Sequence, residues 1–430
     1  MQGQHEAAQE PFIRPRRAID GMADFVASFF WRALDRPAIA TALMLTAATL
    51  FVATGVFGLG RSNSGLLGGG GDFDYLYLAG QIWLDGRSPY VVKDFVSAYP
   101  GASAFAYPPP ILPLALLLAA LPQNAAELLM HALNLSAVAA ISWSAVELSS
   151  PTDRQQARRL HLLTVLVLMS APFTSHVMWL GQTSLIGVAL VVGAFDAYRR
   201  RMLILAGVLA TLALAKPQLA LLPVLLLMSR CDARFLVALS ISSLVFLAWP
   251  AWTAGGPMAL VNQYLASIKA YGASPYQAID FQHVFGLRSL AASLGSDLPI
   301  LAALLIVVCG SLHVYRGRLR SEADTLAILF CLSLLLLFAH DYDLVALALL
   351  VPALFHHLIQ RNLLAGICLA VLVLLYVPQR FVLNFDPTWL IRYRELLCLA
   401  LLCGLVMMNQ LWARNGRVNR EGGLKHSGSF

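Results

Sequence analysis

The sequence predicts an all-α polytopic membrane protein with about twelve transmembrane crossings, and two observations lead to this fold class. First, the chain of 430 residues is 59% hydrophobic and only 12% charged, with a mean hydropathy of +0.70. Soluble domains carry about 25% charged residues, so this composition excludes an ordinary soluble domain. Second, long apolar runs alternate with arginine clusters, which the positive-inside rule places in the cytoplasm. The net charge of +7 is therefore assigned to cytoplasmic edges rather than to nucleic-acid binding.

The amino-terminal region predicts a cytoplasmic leader followed by a first span. Residues 1–37 are polar and basic, and apolar residues recur at helical spacing between Ile19 and Trp31. We expect these residues to form an interfacial helix on the inner membrane surface. Because the strongly apolar run begins only behind this leader, at Ala38, we predict a span at 38–59 rather than a cleaved signal peptide.

The first predicted outer loop, about 60–107, contains a glycine-rich acidic stretch, Gly68-Gly-Gly-Gly-Asp-Phe-Asp-Tyr-Leu-Tyr77. Glycines allow the backbone to turn sharply and to approach another surface closely. Two carboxylates, Asp72 and Asp74, follow the glycines directly. The loop is long enough for one or two short helices lying on the membrane.

The chain is predicted to re-enter the bilayer at Tyr107-Pro-Pro-Pro110, since proline suits a helix start. Two apolar runs in 108–149 are taken as one net crossing, because two crossings would place Arg154 and Arg158 outside. A single integral-membrane domain then extends over 38–412, with a cytoplasmic tail at 413–430 and both termini in the cytoplasm. The later predicted spans are 160–180, 184–198, 202–215, 219–228, 235–254, 299–315, 325–339, 344–358, 363–377 and a last one ending near Trp412, with further outer loops at about 255–297 and 378–393.

This topology gathers the unusual polar residues on the extracytoplasmic side. Ionisable groups at membrane depth are costly and usually face a cavity or a partner, so their convergence predicts a site there. The residues concerned are Asp72, Asp74, Gln182, Lys216, Asp280, His283, His340, Asp341 and Asp343.

Carboxylates and cations at one face of a helical membrane body suggest group transfer from a lipid-linked phosphate. Such a donor carries its own good leaving group, so the protein must supply a base for the acceptor hydroxyl and cations for the phosphate. Asp72 or Asp74 is a candidate base. Lys216 is a candidate phosphate-binding cation, together with arginines of the later outer loops such as Arg288.

Five short motifs carry a family resemblance: Asp72-Phe73 after glycines, Tyr107-Pro-Pro-Pro110, Gly181-Gln182, Lys216-Pro217-Gln218 and Asp341-Tyr-Asp-Leu344. In this order they resemble glycosyltransferase family 87, and the chain is similar to polyprenol-phosphate-mannose-dependent mannosyltransferases. The resemblance implies a GT-C-type fold in the plasma (inner) membrane, with the active site formed by extracytoplasmic loops. It also implies inverting transfer of a hexose such as mannose from a polyprenyl-phosphate donor to an extracytoplasmic lipid or glycan acceptor.

Carried over residue by residue, the resemblance implies Asp72 as the general base and His340 as a second catalytic residue. It also implies a metal-independent enzyme without a cofactor, although two nearby carboxylates leave a divalent metal open. None of the six cysteines forms a C-x-x-C pair, so neither a disulfide framework nor a structural zinc site is predicted. The predicted substrate-binding residues are Asp74, Tyr107, Gln182, Lys216, Gln218, Arg288, Asp341 and Asp343.

Each of these residues also has a purely structural interpretation. Asp72 is also suited to cap the helix that follows it, and Lys216 is long enough to extend to the lipid headgroups. Gln182 is able to cross-link two helices, and Tyr107 to anchor at the membrane interface. The 340–343 segment can equally be a solvated turn between two spans.

Two other classes of function remain open on the sequence. A transporter or flippase of lipid-linked sugars is the first alternative, although transporters often show internal repeats and none is visible here. A membrane assembly partner without catalytic activity is the second.

Overall fold

The computed structural model describes residues 32, 35–59, 71–99, 103–278, 281, 283–295, 310, 321–359, 362–377 and 392–426. The predicted leader helix, most of the predicted span at 299–315 and most of the predicted loop at 378–393 lie outside the described residues. The described chain is helical apart from one short β-ribbon.

The amino-terminal half begins most of its helices at polar caps or prolines. Proline suits the first helical turn because its fixed φ is helical and its missing N–H would have no partner there. The elements are α1 (Pro37–Leu59), α2 (Gly71–Leu84), α3 (Val92–Ala98), a 3₁₀ turn (Pro109–Ile111), α4 (Leu112–Ala119), α5 (Gln123–Leu148), α6 (Arg154–Ser170), α7 (Pro172–Leu180) and α8 (Ser184–Arg199).

The carboxy-terminal half contains the ribbon and the most deeply buried segment. Its elements are α9 (Leu203–Ala213), α10 (Pro217–Ser229), α11 (Ala233–Thr253), α12 (Pro257–Gly272), a 3₁₀ turn (Pro275–Gln277), β1 (Val284–Phe285), α13 (Leu287–Ser293), α14 (Glu322–Leu336), β2 (Ala339–His340), a 3₁₀ helix (Asp341–Leu349), α15 (Leu350–Ile359), α16 (Leu363–Leu375) and α17 (Tyr393–His426).

Three helices among the described residues are long and apolar enough to cross a membrane: Gln123–Leu148, Ala233–Thr253 and Tyr393–Leu411. A fourth span results if α6 and α7 count as one, although they meet at a 62° bend. The shorter apolar helices include α9, α10 and α16. The count of about twelve crossings and the GT-C-type fold therefore stay predictions.

Two predicted spans are corrected by the structure. The predicted span at 160–180 is broken at Ala171, because the following Pro172 has no N–H to continue the helix. The predicted span at 344–358 begins instead as a 3₁₀ helix and becomes α-helical only at Leu350. The predicted outer loop at 255–297 contains α12 and α13, and its place outside the membrane stays a prediction.

Two hydrophobic clusters lie side by side and define where a site can form. The larger cluster packs α5, α8, α9, α14 and α17 around the 3₁₀ helix Asp341–Leu349, whose residues are all buried. The smaller, aromatic cluster joins α2 and α4 to neighbouring residues such as Tyr90 and Phe105. Helix α2 packs tightly on α4 at Gly80, where a Cβ atom would lie 2.2 Å from the Ala115 carbonyl oxygen.

Candidate active site

A cavity of about 480 Å³ lies where the two clusters meet. Ligand sites in proteins typically measure about 300–1,000 Å³, so this cavity has room for a sugar and its phosphate. One part of the lining is polar and aromatic, and another part is aliphatic. The cavity brings together six residues that the sequence assigns to the site: Asp72, Tyr107, Gln182, Lys216, Gln218 and His340.

Asp72 is placed in this cavity by the first turn of α2, which begins at Gly71. Burial raises the pKa of Asp72 above its usual value, and the Gln182 amide and the nearby charges of His340 and Lys216 offset part of this rise. A carboxylate with a raised pKa is a stronger base once it is ionised. A place in the cavity and a raised pKa are two properties that the prediction of Asp72 as a general base calls for.

The turn at Gly181 and Gln182 brings an amide group to the Asp72 side of the cavity. Gly181 ends α7 in the left-handed conformation, with φ +63°. A Cβ atom on Gly181 would lie 2.5 Å from the Cβ atom of Phe73, the residue that follows Asp72. The turn can approach α2 this closely only because Gly181 has no side chain.

Replacing Gly181 with alanine is expected to destabilise the protein by about 2–4 kcal/mol, through left-handed strain and the clash with Phe73. Thermal unfolding in detergent measures this loss. Gly71→Ala is the matched control, since a Cβ atom there meets nothing within 4 Å. Equal melting temperatures for the two variants would contradict the close approach of the turn to α2.

Lys216 lines the cavity but is held by a buried ion pair beneath it. Its Nζ atom donates to Asp343 Oδ1 at 2.9 Å and to Ser184 Oγ at 2.6 Å, and it lies 4.8 Å from the centre of the Tyr342 ring. Burial alone would raise the pKa of Asp343, but the Lys216 charge holds it below its usual value. Asp343 has no exposed side-chain surface and does not line the cavity.

Asp343 also organises two further cavity residues. Its Oδ2 atom accepts from the His340 backbone N–H at 3.2 Å and from Gln218 Nε2 at 3.5 Å. The sequence assigned Asp343 to substrate binding. The structure places it behind Lys216, Gln218 and His340, where one carboxylate connects all three.

His340 enters the cavity from β2, which pairs antiparallel with β1 so that His340 lies opposite Val284. Its ring stacks on the Tyr342 ring at 5.1 Å, and its Nε2 atom lies 3.0 Å from Gln277 Oε1. Burial lowers the pKa of His340, and the Asp343 and Asp72 charges oppose this only in part. A neutral imidazole that is held in this way can donate or accept a hydrogen bond without adding charge.

Asp341 belongs to a separate ionic cluster and does not line the cavity. Its carboxylate lies 3.0 Å from His283 Nδ1, 3.5 Å from His176 Nδ1 and 3.5 Å from an Arg394 nitrogen. Burial would raise the pKa of Asp341, but hydrogen bonds with His176 and His283 lower it well below its usual range. The cluster joins α7, the segment before β1 and the start of α17 at the base of the 340–343 segment.

Asp74 and Arg288 also lie outside the cavity lining. Asp74 accepts from the Tyr99 hydroxyl at 3.1 Å and from Gln123 Nε2 at 3.3 Å. Arg288 is exposed on α13. Asp72 and Asp74 therefore have different surroundings, and the part of the chain that the structure describes contains no group of three or more His, Cys, Asp or Glu residues with metal-binding geometry.

Several cavity residues are absent from the sequence-based assignment. Tyr271 and Gln277 come from the aromatic-rich second loop, whose composition is the only sequence signal for them. Tyr342 lies between the two acidic residues of the Asp341-Tyr-Asp-Leu344 motif. Of this motif, the structure turns Tyr342 toward the cavity and both aspartates away from it.

The family model described as glycosyltransferase family 87 matches residues 105–340, which is more than half of the chain. The match includes every cavity-lining residue except Asp72, Tyr75, Ala104 and Tyr342. No curated protein and no solved structure matches the chain.

Proposed function

The chain belongs to glycosyltransferase family 87 and is a membrane glycosyltransferase, and we propose that it transfers a hexose from a polyprenyl-phosphate donor. The acceptor is an extracytoplasmic lipid or glycan, and the transfer inverts the anomeric configuration. Asp72 is the general base. The cavity opens on the extracytoplasmic side, and both termini are cytoplasmic.

The observation that carries this proposal is the mixed lining of the cavity. Its polar residues present a carboxylate, amides, a cation and tyrosines, which suit sugar hydroxyls and a phosphate. Its apolar residues include Leu221, Ile268 and Phe338, which are also 36%, 41% and 47% exposed. A cavity that continues into an exposed apolar surface fits a substrate whose sugar phosphate is attached to a lipid chain.

The proposed reaction is a single displacement. The Asp72 carboxylate takes the proton of the acceptor hydroxyl while that oxygen attacks the anomeric carbon of the sugar. The bond between the anomeric carbon and the phosphate oxygen breaks, and polyprenyl phosphate leaves with the electron pair. Other polar groups that line the cavity, including Gln218 and His340, stabilise the developing phosphate charge.

The donor class is tested with purified protein in nanodiscs and an envelope lipid extract as the source of acceptor. One reaction receives radiolabelled polyprenyl-phosphate mannose as the donor, and the other receives radiolabelled GDP-mannose. We expect labelled product from the lipid-linked donor and none from the nucleotide sugar. Equal transfer from both donors would contradict the proposal. In sealed proteoliposomes, movement of the lipid-linked sugar without any covalent product would favour the flippase alternative.

A further inference from the structure

A buried asparagine lies directly behind the Gly181-Gln182 turn and has no role in the reaction described above. Asn134 is near the middle of α5, a helix long and apolar enough to span a membrane, and it has no exposed surface. Its Nδ2 atom donates to the backbone carbonyl of Gln182 at 3.1 Å. Its own Oδ1 atom is buried without a hydrogen-bond partner in the described part of the protein.

An amide in this position is energetically costly. Each buried polar atom without a partner costs about 1–3 kcal/mol, and a leucine at position 134 would avoid that cost. Among the described residues, the Asn134 side chain makes one hydrogen bond, and its acceptor lies in the turn that follows α7. That carbonyl lies in residues 181–183, which connect α7 to α8, outside both helices.

The side chain of Gln182 is fixed in one orientation by its other contacts. Its Oε1 atom accepts from the Thr183 backbone N–H at 3.2 Å and from the Tyr107 hydroxyl at 2.9 Å. Because the Thr183 N–H can only donate, the oxygen must face it and the amide nitrogen must face the opposite way. Nε2 donates one hydrogen to the Tyr342 hydroxyl at 3.0 Å, which leaves its second hydrogen for another acceptor.

Asp72 lines the same cavity as Gln182 and is a candidate acceptor for that second hydrogen. The Gly181-Gln182 turn contacts Phe73, and both Gln182 and Asp72 line the same cavity. The Gln182 amide stabilises the charged form of the Asp72 carboxyl by hydrogen bonding. The order of contacts therefore runs from Asn134 through the backbone of Gln182 to its side chain and on to Asp72.

We propose that Asn134 is a positioning residue that holds the Gly181-Gln182 turn in register, so that the Gln182 amide donates to Asp72 in the reactive arrangement. Asn134 touches neither substrate nor the reacting atoms. It acts from within a membrane-spanning segment on a base in the cavity. The expected effect on turnover rests on the proposed function, whereas the hydrogen bond between Asn134 and Gln182 does not.

The consequence is a change in both rate and pH dependence when the Asn134 donor is removed. Without a fixed Gln182 amide, Asp72 loses a hydrogen bond that favours its ionised form, so its pKa rises further and the acidic limb of kcat/KM moves to higher pH. The charged and titratable groups that face Asp72 are unchanged by the substitution. They are His340, Lys216, His176, Tyr107, Tyr271 and Tyr342.

The test compares Asn134→Leu and the smaller Asn134→Ala with Asn409→Leu in nanodiscs. Asn409 is a matched control because it is buried in another candidate spanning helix and donates to the Leu405 carbonyl of that helix. We expect kcat to fall about ten- to a hundredfold in both Asn134 variants with little change in KM. We also expect the acidic limb of the kcat/KM profile to move to higher pH in both Asn134 variants and to stay in place in Asn409→Leu.

A second readout needs no activity. The infrared carbonyl band of protonated Asp72, identified by its loss in Asp72→Asn, should titrate at higher pH in both Asn134 variants. If it titrates as in the wild type, or if both variants fail to fold, the positioning role is overturned. If the band moves but the wild type transfers no sugar from any donor, the proposed function fails and the positioning role of Asn134 stands.

Discussion

Asparagine in place of Asp72 is expected to lower the turnover number for sugar transfer by about 10²–10⁴-fold, the usual contribution of a positioned general base. Asparagine keeps the size of the side chain but cannot take the proton of the acceptor hydroxyl. The measurement is product formation from a polyprenyl-phosphate sugar by purified wild-type and variant protein. Asp94→Asn is the control, because Asp94 is an exposed carboxylate on the neighbouring helix α3.

The pH dependence of the wild type gives the same prediction an independent check. Asp72 must be ionised to act, so the rate falls as the pH is lowered through its pKa. Burial raises that pKa, and the acidic limb should therefore lie above about 3.9, the value for aspartate in model peptides. Wild-type turnover by Asp72→Asn would refute the assignment of the base. A smaller loss is expected for Asp74→Asn, because Asp74 lies outside the cavity with Tyr99 and Gln123.

Replacing Lys216 with methionine is expected to destabilise the protein by about 3–5 kcal/mol, the cost of leaving one member of a buried ion pair without its partner. The uncompensated group is Asp343, which has no contact with solvent. Asp343→Leu should show a loss of similar size for the converse reason. Thermal unfolding in detergent, with a fluorescent thiol or tryptophan signal, measures both losses.

The double variant Lys216→Met with Asp343→Leu shows how much of each loss of stability comes from a buried unpaired charge and how much from altered packing. Because it removes both charges, it should be more stable than either single variant. The matched control is Arg230→Met, since the Arg230–Glu322 pair has side chains 28% and 30% exposed and such pairs contribute only about 0–1 kcal/mol. Additive losses in the double variant would show that the two residues do not depend on each other.

The residue types of the site were predictable from the sequence because each is unusual in its setting. A lysine before proline between two apolar runs, a glycine–glutamine turn and a carboxylate behind glycines all stand out in a chain with few charges. Residues 72, 107, 182, 216, 218 and 340 accordingly meet in one cavity. What these groups do within the cavity is not visible in the pattern and stays a prediction.

The side to which each residue of the 340–343 segment points could not be predicted from the sequence. It depends on the pairing of β2 with β1, a contact between segments that are far apart in the chain. That pairing and the following 3₁₀ helix turn Tyr342 to the cavity, Asp341 to the cluster of His176, His283 and Arg394, and Asp343 to Lys216. The role of Asn134 was equally unpredictable, because it is one of several polar residues in α5 and the sequence gives no indication of its partner.

The β-ribbon also determines when during synthesis the cavity can be complete. Val284 can pair only after His340 has been synthesised, and Arg392, at the start of the last helix, donates to the backbone carbonyls of Val284 and Phe281. A nascent chain that has inserted only its first helices therefore contains Asp72 but lacks the later residues that complete the cavity lining. The cavity lining is complete only after Tyr342 has been synthesised, so chains that end before this residue are expected to be inactive in the membrane.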